Sequence, residues 1–241
     1  MRPEISVILP TFNRSGSQHH LGYLKQALAT LRNQYCSVPY EILIGTEVPQ
    51  QRSEALFDYL YRQVMLDDRI RVFIMRANEK TGHGPTDNFL YEAARGKYLT
   101  RPLGDDEVFE PHFLQTLYDA LERDPTAVLA YGDFWNTDSI GNILCECKRG
   151  EHSHARLMRE CYIGIAVLLN RAWFLSCGVE WGAMLAAEDY AMWKVLSRYA
   201  EQQDRTFVHV PQFLARWRDW HGNLTSKVRT GEIIPEKDYS S

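Results

Sequence analysis

The chain has 241 residues and a formal net charge of −4, with 45% hydrophobic and 12% aromatic residues, enough material for the core of one fairly large domain. The acidic balance argues against a dedicated nucleic-acid binder, which normally carries a basic face. No apolar run reaches the roughly 18 residues of a membrane-spanning helix.

In chain order, ISVIL (5–9) reads as the first strand, followed by Leu21, Leu24, Leu28 and Leu31 at helical spacing. EILIG (41–45) reads as a second strand, and Leu56, Leu60 and Val64 as the inward stripe of a second helix. RVFIM (71–75) and YLTRPL (98–103) read as further strands. Pro111 marks the first position of the next helix, with Phe113, Leu114, Leu117 and Leu121 on one face, before a strand at AVLAYG (127–132). This alternation predicts an α/β layer fold with a largely parallel, buried sheet, in which ligands gather beyond the carboxyl ends of the strands. Residues 161–178 read as a strand, a turn and a short helix. Residues 188–200 read as a helix with Met192, Val195, Leu196 and Tyr199 inward, and 206–218 again as a strand. From Ser226 the chain is polar and is expected to be mobile or to close over ligand.

The opening MRPEISVILP runs straight into a strand without the charged, apolar and cleavage regions of a secretory leader, so a cytoplasmic location is expected. The five cysteines are Cys36, Cys145, Cys147, Cys161 and Cys177. Only Cys145 and Cys147 are close, and a C-x-C pair alone makes a poor tetrahedral zinc site, so reduced thiols are expected.

Four stretches carry candidate chemistry. LPTFNRSG ends the first strand with backbone amides and small polar side chains, as any β–α turn would. LTRPLGDDEVFEP places Asp105 and Asp106 side by side at the end of a core strand. Their repulsion calls for a cation or hydrogen-bond donors, and hard divalent ions prefer such oxygen ligands. Otherwise both are solvated, with Glu107 and Glu110 biasing the first turn of the next helix through its dipole. AAEDYAMW sets Glu188 and Asp189 at a helix start, as a cap or as a carboxylate base facing a cleft. RWRDWHGNLTS gathers Arg216, Arg218, Trp217, Trp220, His221 and Asn223. Its aromatics could stack on a sugar or base, and its His is either a metal ligand or a structural residue.

Taken in order, ISVILPTFNR, YEILIG, RIRVFIMRANEKTGHG, DNFLYEAARGKYLTRPLGDDEVFEPHFL, AEDYAMW and WHGNLTS resemble glycosyltransferase family 2 on a GT-A fold, over roughly residues 4–226. The resemblance implies a single GT-A domain with a Rossmann-like, mostly parallel sheet flanked by helices. Residues 1–107 would form the nucleotide-sugar half, 108–226 the acceptor half, and 227–241 a flexible tail. It implies sugar transfer from a nucleoside diphosphate sugar to an acceptor hydroxyl, with inversion, assisted by Mn²⁺ or Mg²⁺, in polysaccharide or glycan synthesis. Among donors, a UDP-sugar is favoured by family frequency alone. A carbohydrate or lipid-linked glycan is the expected acceptor, the latter met peripherally at a membrane surface.

By the same resemblance Asp106 takes the metal, with His221 completing its site, and Asp105 takes the ribose or donor sugar. Asp189 is the catalytic base. Pro10, Thr11, Phe12, Asn13 and Arg14 form the nucleoside loop, Glu47 meets the base, and Asn78, Lys80, His83 and Asn88 join the donor site. Trp181, Glu188 and Trp220 face the acceptor. The chain departs from the family pattern at Thr46, where an Asp is usual, at Asp87, where an Arg commonly meets the diphosphate, and at Gly104, where many relatives carry Asp. Lys80, His83 or an Arg of 216–218 would then serve the diphosphate. Two alternatives stand beside this reading. One is a sugar-nucleotide-binding module without turnover. The other is a nucleotidyltransferase, disfavoured because TFNRSGS lacks a Gly- and Lys/Arg-rich triphosphate loop.

Overall fold

The structure, a computed structural model, describes residues 2–11, 18–48, 54–76, 84–182 and 188–219. Its first half runs β1 (Ile5–Thr11), α1 (Gln18–Arg32), β2 (Tyr40–Val48), α2 (Glu54–Leu66), β3 (Ile70–Arg76), α3 (Gly84–Ala93) and β4 (Tyr98–Thr100). The second half runs β5 (Glu107–Phe109), α4 (Phe113–Arg123), β6 (Ala127–Thr137), β7 (Ile143–Cys147), α5 (His154–Leu157) and β8 (Val167–Asn170). It closes with α6 (Arg171–Ser176), α7 (Glu188–Gln202) and β9 (Thr206–Arg218). The strands form one sheet in the order β3-β2-β1-β4-β8-β6-β9-β5, with β7 attached to β6. Pairing is parallel through β3, β2, β1 and β4 and between β6 and β9, and antiparallel elsewhere.

Every residue of β1 is buried, which is why it reads as an unbroken apolar run rather than an alternating one. The alternation instead divides its side chains between two cores. Ile5, Val7 and Leu9 pack with Leu24, Leu28 and Leu31 of α1, Leu56 and Leu60 of α2, and Phe113, Leu114, Leu117 and Leu121 of α4. Ile8 lies on the other face with Leu90 and Tyr91 of α3, Trp173 and Phe174 of α6, and Met192, Trp193 and Leu196 of α7. The sheet is thus covered on both faces, as the alternation of elements predicted.

Two inward positions read from the sequence are outward. Val64 is 40% exposed, and Gln63 takes the inward place because its Oε1 accepts from Arg32 Nη1 at 2.9 Å. Val195 is 38% exposed, and the buried stripe of α7 runs through Met192, Trp193, Leu196, Ser197 and Ala200. Pro111 precedes α4 rather than opening it, and the Phe113 amide donates to the Glu110 carbonyl. Gln34 binds this junction from α1's side, donating to Glu110 O at 2.9 Å and accepting from the Leu114 amide at 3.1 Å.

At the amino edge of the sheet, buried Glu41 on β2 accepts from Ser6 Oγ at 2.8 Å, Arg95 Nη2 at 2.7 Å and Arg71 Nη1 at 3.1 Å. Burial alone would raise its pKa, but these bonds outweigh it and hold the carboxyl below its ordinary value. The opposite, carboxyl edge holds the candidate chemistry. β4 is antiparallel to β8 and β8 to β6, so β6 and its parallel neighbour β9 end at the same edge as β1. Helix α7 runs into the amino end of β9 through a short turn, with Thr206 N donating to Thr126 O at 3.0 Å. Its first residues therefore lie at the carboxyl edge as well.

Candidate active site

Thr11 closes β1, and its register partner on β2 is Thr46. Both are fully buried, although hydroxyls at strand ends usually reach water. Thr11 Oγ1 donates to Asp105 Oδ2 at 2.8 Å, which ties the first strand to the acidic turn. Thr46 Oγ1 has no hydrogen-bond partner among the described residues. β4 stops at Thr100 because Pro102 has no N–H to give a ladder. The chain nonetheless stays beside β1: Ile8 N donates to Thr100 Oγ1 at 2.9 Å, and Leu103 N donates to Ile8 O at 2.8 Å.

The turn that follows is tight. Glu107 N donates to Gly104 O at 3.2 Å, and a Cβ at Gly104 would lie 2.8 Å from Asp106 Oδ1 and 3.1 Å from Glu107 Cδ. The departure to glycine at 104 therefore has a local cause, since the carboxylates of 106 and 107 fill the space a side chain would need. Beneath the turn Arg101 and Glu107 form a buried ion pair, and Arg101 also donates to Pro102 O and, at 3.0 Å, to Ile165 O. Burial pushes the Glu107 carboxyl up to about 7; Arg101 opposes this and the Asp106 charge adds to it. The two glutamates do not act as first-turn helix charges. Glu107 is a strand residue locked to Arg101, and Glu110 Oε1 accepts from Arg216 Nε at 3.0 Å. The signal in the sequence was Arg101 itself: a cation inside an apolar run must find a buried counter-charge.

The β5–β9 ladder pairs Glu107 with Trp217, the residue before Arg218, and the Asp106 charge acts on the Arg218 guanidinium. Arg218 is 5% exposed; its guanidinium carbon lies 4.1 Å from the Tyr23 ring centre, and Nη2 donates to Gln26 Oε1 at 2.7 Å. Burial lowers its pKa against the opposing pull of Tyr23, Asp106 and Asp138. Asp219, the last described residue, donates its amide to Thr137 O at 2.8 Å.

Asp189 is half-buried at the start of α7, where its Oδ1 accepts from the Tyr190 amide at 2.8 Å. It stands near Cys161, whose thiol is pushed up first by desolvation of the sulfur and then by the Asp189 charge. Asn88 uses both ends of its amide on one residue: Nδ2 donates to Trp181 O at 3.0 Å and Oδ1 accepts from Trp181 N at 2.7 Å. The Trp181 ring is 4% exposed, edge-on to Trp193 at 5.8 Å and tilted against Tyr91 at 6.0 Å, so it packs into the core instead of walling a cleft. Pro10 is buried in β1 opposite Gly45, and Asp87 is buried in the first turn of α3. Glu47 and Glu188 lie in β2 and α7 by backbone, with side chains outside the description. Phe12, Asn13, Arg14, Asn78, Lys80, His83, Trp220 and His221 lie outside the described residues.

A fold of this kind, with its acidic turn at the carboxyl edge, has known relatives. The family model for glycosyl transferase family 2 matches residues 6–180. "Uncharacterized glycosyltransferase MJ1057" of Methanocaldococcus jannaschii is 24% identical over 147 residues, 61% of this chain and 47% of that one. "Uncharacterized glycosyltransferase RC0461" of Rickettsia conorii is 24% identical over 208 residues, 81% of this chain and 32% of its own. The chain thus spans about half of one relative and a third of the other. Among solved structures, residues 1–349 of S. aureus TarS superpose with a TM-score of 0.64 at 14% identity, over 89% of this chain and 60% of that one. The mannosyltransferase PcManGT of Pyrobaculum calidifontis, solved with GDP-Man and Mn²⁺, gives 0.60 at 13% identity, over 90% and 57%. With the family's model spanning most of its length and a GT-A sheet beneath it, this chain belongs to glycosyltransferase family 2.

Proposed function

We propose that the chain transfers a sugar from a nucleoside diphosphate sugar to an acceptor hydroxyl, inverting the anomeric centre. The observation that carries this reading is the Thr11–Asp105 bond, which sets Asp105 and Asp106 on the same sheet edge as Asp189. Asp105 orients the ribose or the donor sugar. Asp106 and His221 would hold Mn²⁺ or Mg²⁺, an assignment supported by the hard oxygen donors that the Asp105–Asp106 turn offers such ions. A bound divalent ion would neutralise charge on the leaving diphosphate. Asp189 takes the proton of the acceptor hydroxyl as its oxygen attacks, and the diphosphate departs from the opposite face.

Pro10 through Arg14 and Glu47 would receive the nucleoside, Asn78 would join the donor site, and Lys80, His83 or an Arg of 216–218 would serve the diphosphate. Asn88 serves the site by holding the Trp181 backbone. Glu188 and Trp220 face the acceptor, with residues 1–107 serving the donor and 108–226 the acceptor. A UDP-sugar is the first donor to test, and GDP-mannose, the ligand of the Pyrobaculum neighbour, the second. The reaction would belong to polysaccharide or glycan synthesis on the cytoplasmic side of a membrane. No helix among the described residues is long and apolar enough to cross one.

Calorimetric titration with a panel of nucleoside diphosphates and their sugars, with Mn²⁺ or with EDTA, tests the donor site. One nucleotide should bind in a metal-dependent way, and Asp189→Asn should keep that binding while losing transfer. A variant with near-full turnover reduces Asp189 to a helix cap. Donor binding without turnover in the wild type selects the binding module, and pyrophosphate release selects a nucleotidyltransferase.

A further inference from the structure

The acidic turn carries a buried cation of its own. Arg218 comes from the neighbouring strand: β9 runs antiparallel to β5, Glu107 pairs with Trp217, and the next β9 residue, Arg218, feels the Asp106 charge directly. The guanidinium is fixed by α1, stacked 4.1 Å over Tyr23 and bonded to Gln26 at 2.7 Å, and the residue is 5% exposed. Three elements that are distant in sequence therefore converge to hold one positive charge at this place. Arg216, two residues earlier, has a separate occupation: it pairs with Glu110 at 3.0 Å and lies 5.4 Å over the Trp135 ring.

We propose that Arg218 is the resident counter-cation of the Asp105–Asp106 turn and sets how tightly the turn takes a divalent ion. Two neighbouring carboxylates repel each other, and a guanidinium held close to Asp106 offsets that repulsion before any ligand arrives. The same charge repels an incoming divalent cation and favours one that arrives with an anionic diphosphate. The turn thereby prefers the metal–nucleotide pair over the bare metal. The inference rests on the reading of Asp106 as a metal ligand, and the test separates the two.

The test is calorimetric titration of the full chain with Mn²⁺ alone, followed by a nucleoside diphosphate with Mn²⁺, on wild type, Arg218→Gln and Arg218→Lys, each checked for folding by thermal unfolding. Removal of the charge in Arg218→Gln should tighten binding of Mn²⁺ alone threefold or more and weaken the nucleotide–Mn²⁺ complex. Arg218→Lys, which keeps the charge, should stay close to wild type. Mn²⁺ binding that is absent in the wild type and present in Arg218→Gln would support the proposal in its strongest form. Saturable Mn²⁺ binding of equal strength in wild type and Arg218→Gln would overturn the role of Arg218 and leave Asp106 as a ligand. Absence of binding in both would overturn the metal reading and the proposal together. Equal changes in Arg218→Gln and Arg218→Lys would mean that packing on Tyr23, not charge, is what the residue supplies.

Discussion

Substituting Gly104 by Ala separates the fold from the site with a single methyl group. The added Cβ would lie 2.8 Å from Asp106 Oδ1 and 3.1 Å from Glu107 Cδ. Glu107 is anchored by Arg101, and the atom nearest the new Cβ is the terminal carboxylate oxygen of Asp106, so that side chain is the one that must shift. It must pass from 2.8 Å to the 3.4 Å at which ordinary contact begins, a retreat of about 0.6 Å. In the proposed metal site, where ligand distances tolerate about 0.2 Å, such a shift would take Asp106 out of coordinating range. The expected loss in Mn²⁺-dependent nucleotide affinity is roughly 10- to 100-fold, the scale seen when support of a metal ligand is removed. Stability should change by less than about 1 kcal/mol, because a glycine-to-alanine change restricts the unfolded chain by a comparable amount in the favourable direction. The assay is calorimetric titration with nucleoside diphosphate and Mn²⁺ beside thermal unfolding of the same sample. Wild-type affinity in Gly104→Ala would refute the idea that the glycine makes room for the carboxylate. A collapse in stability would refute the idea that a side chain alone gives way.

The contrasting substitution is Gly96→Ala, whose Cβ would meet the Ser6 amide at 2.6 Å and the Ile5 carbonyl carbon at 2.8 Å. Those atoms belong to the central strand and cannot retreat, so thermal or urea unfolding should show a loss of about 1–3 kcal/mol. Arg101→Met leaves Glu107 buried without its partner and should cost about 3–5 kcal/mol. The double variant Arg101→Met/Glu107→Leu should recover much of that loss; failure to recover would mean the pair does more than compensate charge. Desolvation, and then the charge of His154, lowers the pKa of His152 from 6.5 to about 4. The neutral ring sits 2.7 Å from Tyr162 Oη and 3.1 Å from Ser197 Oγ. Because the folded pKa is the lower one, the unfolded chain takes up the proton first. This contribution is fully present above pH 6.5 and is lost as pH falls toward 4. Unfolding midpoints between pH 7 and pH 4.5 should fall by an amount worth about 2 kcal/mol in wild type, and by less in His152→Gln. Equal slopes would mean the imidazole is already solvated.

The alternation of apolar runs and helical stripes declared the α/β layers because that pattern is local: a strand buried on both faces must be apolar throughout, and Ile5 to Leu9 are. The adjacency of Asp105 and Asp106 was equally local, and their unfavourable repulsion was enough to mark the turn. Gln63 and Trp193 were not legible as inward residues, since a helix stripe shows its period but not the angle at which tertiary packing rotates it. The β6–β7 hairpin escaped because β7 is exposed along four of its five residues and has little apolar alternation to read. The composition of the site beyond its carboxylates was hidden for a more general reason. Thr11 and Asp105 are 94 residues apart, and Arg218 and Gln26 are 192 apart. Sequence by itself determined which layers form and where charge concentrates. Only the tertiary structure decided which buried cation meets which carboxylate, because such contacts depend on strand order and register, which a linear pattern does not encode.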